Sequence, residues 1–146
     1  MAKVGRAAYN ASRMRVEKIA AGGTKTIGAA EAGELYLIDG ADDVVVTLPP
    51  ALSGSYFKFM IHANAVGGGK SVIINADTAN VLIDGSCMQL DADNSNTLST
   101  SDSSANDKIT FGTGCLEGSY VELVSDGTKW VAFGISSGGT LAFGDQ

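Results

Sequence analysis

The chain has 146 residues, enough for one domain that buries roughly 70% of the surface its unfolded form exposes. Its 19 glycines are nearly twice the ordinary share of about 7%, and only 18% of its residues are charged, against the usual quarter or so. A net charge of −6 argues against a basic nucleic-acid binder, no apolar run approaches the ~18 residues of a membrane helix, and two cysteines are too few to staple the fold.

The charge is unevenly placed. Residues 1 to 25 hold six basic side chains against Glu17 alone, a net of +5, while the rest sets four lysines against fifteen acids, a net of −11. Nucleic-acid contact would rest on this basic segment alone, which lacks interleaved aromatics, so neither a nucleic-acid nor a membrane partner is expected. Residues 1 to 21 are rich in Ala, Arg and Met, but Val4, Tyr9, Met14, Val16 and Ile19 fit no 3.6-residue period. The expectation is an extended basic arm over 1–21 and a β domain over 22–146, beginning after Gly22-Gly23. No apolar stretch with a small-residue cleavage site opens the chain, so Cys87 and Cys115 read as buried thiols.

Strands are expected at Thr24 to Ile27, Leu35 to Ile38 and Val44 to Leu48, the last stopped by Pro49-Pro50 because proline cannot donate to a ladder. Tyr56 to His62 alternates, with Phe57, Phe59 and Ile61 inward. Gly67 to Gly69 reads as a hairpin loop before strands at Ser71 to Ala76 and Val81 to Ile83. Asp91 to Asp107 is polar throughout and is expected to be a long loop. After Ile109 to Phe111 comes the strongest signal, two β-branched and aromatic runs joined by Asp126-Gly127, where a two-residue turn needs φ > 0. That turn would set Leu123 opposite Trp130 and Val121 opposite Ala132. The other face would carry Tyr120, Val124, Val131 and Phe133, too apolar for a solvated sheet face, and is expected to be covered by another subunit. Leu52-Ser-Gly-Ser-Tyr56 is repeated as Leu116-Glu-Gly-Ser-Tyr120, each copy after a strand-like run. The fold class is thus all-β: a sandwich or barrel of nine or ten short, mostly antiparallel strands.

Four fragments invite chemistry. Gly134-Ile-Ser136-Ser-Gly138 matches a nucleophile elbow, but that motif needs a following helix and a later His, and neither is in the eight residues left. The triglycine before Lys70-Ser71 ends like a phosphate-binding loop but leads into a strand. Asp91, Asp93, Ser95 and Asp102 fall at calcium-loop positions without the glycine or flanking helices. His62 and two distant cysteines cannot complete a zinc site. No catalytic residue, metal or cofactor is expected, and Trp130 is read as core.

The succession Val-Val-Val-Thr-Leu-Pro-Pro, Leu-Ser-Gly-Ser-Tyr-Phe-Lys-Phe, Lys-Ser-Val-Ile-Ile-Asn-Ala, Lys-Ile-Thr-Phe and Gly-Ser-Tyr-Val-Glu-Leu-Val-Ser-Asp-Gly-Thr-Lys-Trp spans residues 44 to 135. It resembles the small all-β virion proteins of tailed bacteriophages, particularly capsid decoration (cement) proteins. The resemblance implies a non-enzymatic homotrimer, made in the host cytoplasm, seated on the capsid outer surface and stabilising it. Its partner would be the major capsid protein of the same virion, reached through arm residues Lys3, Val4, Arg6, Tyr9, Arg13, Met14 and Arg15. The alternative is a tail, fibre or glycan-binding β domain exposing Trp130 or the 91–107 loop.

Overall fold

The computed structural model describes residues 15–91, 96–102 and 104–146. Among them are twelve strands: β1 (Arg15–Ile19), β2 (Thr24–Thr26), β3 (Glu34–Asp39), β4 (Val44–Thr47), β5 (Tyr56–Ala63), β6 (Val72–Asn75), β7 (Ile83–Leu90), β8 (Thr97–Thr100), β9 (Lys108–Phe111), β10 (Tyr120–Ser125), β11 (Trp130–Ser137) and β12 (Leu141–Gly144). One short 3-10 turn, Ala29–Glu31, is the helical content of these residues. A seven-stranded sheet has the order β1-β3-β5-β10-β11-β7-β8, and a five-stranded sheet the order β12-β9-β6-β4-β2.

The expected all-β class is what the chain adopts, with a sandwich-like pair of sheets. Strict alternation produces it: β3, β4, β5, β6 and β11 bury every second residue. The inward set of one sheet (Tyr36, Phe57, Phe59, Val121, Leu123, Trp130) meets Val46, Val72, Ile74, Ile109, Phe111 and Leu141 of the other. Aromatic rings fill the middle: Tyr36 stacks on Phe59 with centroids 5.2 Å apart, and Trp130 tilts against Phe57 at 5.7 Å. Burying each such ring contributes about 1.5–3 kcal/mol.

The sheets are mixed rather than mostly antiparallel. The first six strands alternate between sheets, and each lies parallel to the strand two before it. Arg15 pairs with Glu34 and Leu35 with Lys58 in one sheet; Thr24 pairs with Val45 and Val44 with Val72 in the other. The amino-terminal half is therefore a short two-layered coil. This changes three expectations. Residues 15–19 are the edge strand of the larger sheet, so the β domain reaches back at least to Arg15, and Arg15 itself lies 3.5 Å from Glu34. The triglycine joins β5 to β6, which lie in different sheets, so it is a crossover rather than a hairpin loop. The polar 91–107 stretch contains β8, which pairs antiparallel with β7.

The repeated phrase is a structural repeat. Its copies lie 64 positions apart, and the two middle residues, Lys58 and Glu122, pair directly. Gly54 and Gly118 both take positive φ (81° and 90°), a conformation that favours glycine at such corners. Their N–H groups donate to equivalent carbonyls, Gly54 to Ser125 and Gly118 to Ile61. Each corner thus locks the far end of the other copy's strand, and β4 and β9 flank β6 in matching positions.

Candidate interaction face

Parity decides what the larger sheet shows to solvent. Val121, Leu123, Trp130 and Ala132 point inward, so Val124, Val131, Phe133 and Ile135 point out. The hairpin between β10 and β11 has a four-residue loop. Asp126 Oδ1 accepts from the N–H of Thr128 and of Lys129 and from the Thr128 hydroxyl, and the Asp126 N–H donates to the Lys129 carbonyl. The register is therefore Leu123 with Ala132 and Glu122 with Phe133, two residues from the one expected for a two-residue turn. A shift of two leaves every side chain on its face, because the strand period is two.

The expected contact set Tyr120, Val124, Val131 and Phe133 is accordingly together on one outer surface. Val124 and Val131 are directly opposed, and Tyr120 faces Ile135. The structure enlarges the set. β7 runs beside β11 and places Met88 next to Ile135, and Leu98 of β8 lies opposite Met88. Phe133 is 53% exposed and Leu98 62%. Sequence reasoning missed β8 because Thr97-Leu-Ser-Thr100 has a single large apolar residue inside a polar run. Neither this stretch nor the Cys87-Met-Gln-Leu90 run it pairs with alternates apolar and polar residues, so no local signal marks it.

The charges at the centre of this face are paired, while Lys18 stands exposed at its β1 edge beside Leu37. Lys58 Nζ lies 2.8 Å from Glu122 Oε1 and 4.3 Å from the centre of the Tyr120 ring, and its pKa is raised chiefly by the Glu122 hydrogen bond. Lys129 Nζ lies 2.7 Å from Asp84 Oδ2, and its pKa is raised by the same partner; Asp84 also accepts from the Ser101 hydroxyl. Burial first, and then the Glu122 charge, raises the Tyr56 phenol. Outside this face, the carboxylates of Glu17, Glu31 and Glu34 converge within 4.8 Å of one another. Lys25 already supplies a cation there, with Nζ 3.0 Å from Glu17 and 2.7 Å from Glu31.

The fragments weighed for chemistry fall apart in space. Ser136 is fully buried in β11, and its hydroxyl donates to the Gly139 carbonyl. His62 is half-buried, with Nδ1 3.4 Å from the Ile38 carbonyl. Lys70 is held by Asp42 and Asp43. Asp102 Oδ1 accepts from the N–H of Ser104 and of Ala105, closing its own turn, while Asp93 and Ser95 lie outside the described residues. Cys87 and Cys115 are buried and unbridged, and desolvation pushes the thiols up to about 12 and about 11. Trp130 is fully buried, so it is no exposed stacking platform. Among the described residues there is no pocket and no helix long and apolar enough to cross a membrane. Of the arm residues only Arg15 is described; Lys3, Val4, Arg6, Tyr9, Arg13 and Met14 lie outside the described residues. Compared with protein-family models, curated proteins and solved structures, the chain matches none.

Proposed function

We propose that this chain is a non-enzymatic structural protein of a phage virion, working by surface contact as a decoration (cement) protein on the capsid exterior. The observation that carries the reading is the outer face of the seven-stranded sheet, where large apolar side chains gather around two closed ion pairs, Lys58 with Glu122 and Lys129 with Asp84. Soluble monomers rarely leave so much contiguous apolar surface without a partner. The frame behind it suits a mechanical role, since two interlocked corners tie β5 to β10. A clamp of this kind gains from repetition: many copies on one lattice sum modest individual contacts into a large stabilisation. The major capsid protein of the same virion is the partner this reading names.

The test is co-sedimentation of the purified full chain with phage heads lacking their decoration protein. Saturable binding that raises the heads' resistance to heat or osmotic shock is expected. Failure to bind at concentrations well above about 10 μM, where even a weak Kd would show, would refute the reading.

A further inference from the structure

We propose that Met88 is an oxidation site that controls the outer face of the seven-stranded sheet: a peroxide converts its thioether to the sulfoxide and so weakens docking of the free chain. The inference rests on reading that face as the contact surface.

The fold sorts the oxidisable side chains by access. Cys87, Cys115 and Trp130 point into the core and are at most 1% exposed. A cysteine also reacts through its thiolate, and burial has pushed these two thiols up to about 12 and about 11. A thioether needs no proton removed, so its sulfur reacts wherever a peroxide can reach it. Both methionines among the described residues, Met60 and Met88, stand on the outer face. Met60 is half-buried between Leu37 and Tyr120, whereas Met88 is 45% exposed. Access therefore ranks Met88 first among these groups, Met60 next and the core groups last.

Position gives the modification its consequence. Met88 is in register with Ile135 on one side and Leu98 on the other, within the apolar part of the face. In the reaction the sulfur lone pair attacks one peroxide oxygen, the S–O bond forms and the O–O bond breaks. Sulfur is oxidised by two electrons, and hydrogen peroxide's other oxygen leaves as water. The product keeps nearly the volume of methionine but places a strong hydrogen-bond acceptor among aliphatic side chains. On a free surface water satisfies that acceptor. Against a partner's apolar surface the water must be stripped away, which should cost about 5-fold or more in affinity. Methionine is over-used on adaptable binding surfaces, and its sulfoxide disrupts such surfaces. The domain itself is spared, because Met88 projects outward and packs into no core.

Graded hydrogen peroxide on the native full chain, followed by peptide-mapping mass spectrometry, tests the site. One oxygen is expected on Met88 before Met60, with Cys87, Cys115 and Trp130 untouched until the protein unfolds. Retention on a phenyl matrix reads the face without a partner, and co-sedimentation with phage heads reads docking. At the lowest dose that fully modifies Met88, wild type should elute earlier, bind heads at least ~5-fold more weakly and melt as before. Met88→Leu keeps an apolar side chain without sulfur, and should match unoxidised wild type before and after peroxide. Any oxidation of Met1 and Met14 is common to both proteins, so the difference between them belongs to Met88.

Core groups oxidised ahead of Met88 would overturn the inference. So would a fully oxidised Met88 that leaves retention, or the head binding of the reduced protein, as it was. A Met88→Leu variant that loses as much as wild type, or an oxidised wild type without a cooperative melt, also overturns it, since the effect then lies elsewhere. If reduced wild type binds no heads, the proposed function falls. The order of oxidation and the retention shift, absent in Met88→Leu, then still decide the inference.

Discussion

Trp130 offers a test of the packing in which two effects of similar size oppose each other. Its indole is fully buried beside Phe57, and its Nε1–H has no acceptor among the described residues. Trp130→Ala removes the whole ring and should cost about 3–5 kcal/mol. Trp130→Phe keeps a ring but leaves roughly 40 Å³ unfilled, worth about 1 kcal/mol at ~24 cal/mol per Å³ of cavity, plus about 1 kcal/mol of lost transfer energy. Against this, phenylalanine removes a dry, unpaired N–H whose burial costs about 1–3 kcal/mol. The two nearly cancel. Trp130→Phe should therefore lie within about 1 kcal/mol of wild type while Trp130→Ala melts more than ~10 °C lower. Far-UV circular dichroism in guanidinium reads both, since Trp130 is the single tryptophan and its fluorescence goes with it. A phenylalanine variant as unstable as the alanine one would refute the cancellation and the orphaned N–H with it.

Gly85 sits at φ +145°, and a Cβ there would come within 1.8 Å of the Ala132 carbonyl, so Gly85→Ala should force β7 from β11 and cost more than ~4 kcal/mol, seen as loss of soluble protein or of cooperative melting. The Asp126 carboxyl is held at about 2 by the N–H groups of Lys129 and Thr128, below its ordinary 3.8. Its stabilising effect is therefore full above the ordinary value and is lost as pH falls through the folded one; Asp126→Asn should flatten acid melting in that window, and an unchanged acid profile would count against the turn geometry. Cys87 and Cys115 should resist a thiol reagent at pH 8 in the native state and react together on unfolding; immediate titration of both would contradict their burial.

How much was legible follows from where the signals were local. Alternation at Tyr56 to Ala63 and at Tyr120 to Ser125 marks both strands and their faces without any tertiary knowledge, and Tyr120, Val124, Val131 and Phe133 follow from parity alone. The hairpin register did not follow: Asp126 uses its carboxylate to stretch the turn to four residues, an event decided by three hydrogen bonds rather than by the Asp-Gly pair. Two edge strands, β1 and β8, were missed for a shared reason: Arg15–Ile19 and Thr97–Thr100 pair on one side only, bury little, and keep mixed polar sequences. Leu141–Gly144 is apolar but only four residues long, set in the Gly-rich end of the chain. Parallel pairing left no mark either, because nothing in Val44-Val-Val-Thr47 says which strand of which sheet it joins. The extension of the contact face onto Met88 and Leu98 needed that topology.

The winding of β1 to β6 also orders events in time. Each of these strands finds its ladder partner one coil back, so a chain made from its amino terminus can lay them down in succession. β5 breaks the sequence. Its second side waits for β10, 64 positions on, and β11 must then run parallel to β7. Pairings across such separations are slow, since loop closure must precede any reward from contact. By this argument the insertion of the β10–β11 hairpin between β5 and β7 is expected to come late, and that same insertion brings Val124, Val131, Phe133 and Ile135 onto one face with Met88. The apolar outer face is not assembled until the domain has closed, so a chain lacking the β10–β11 hairpin does not present it.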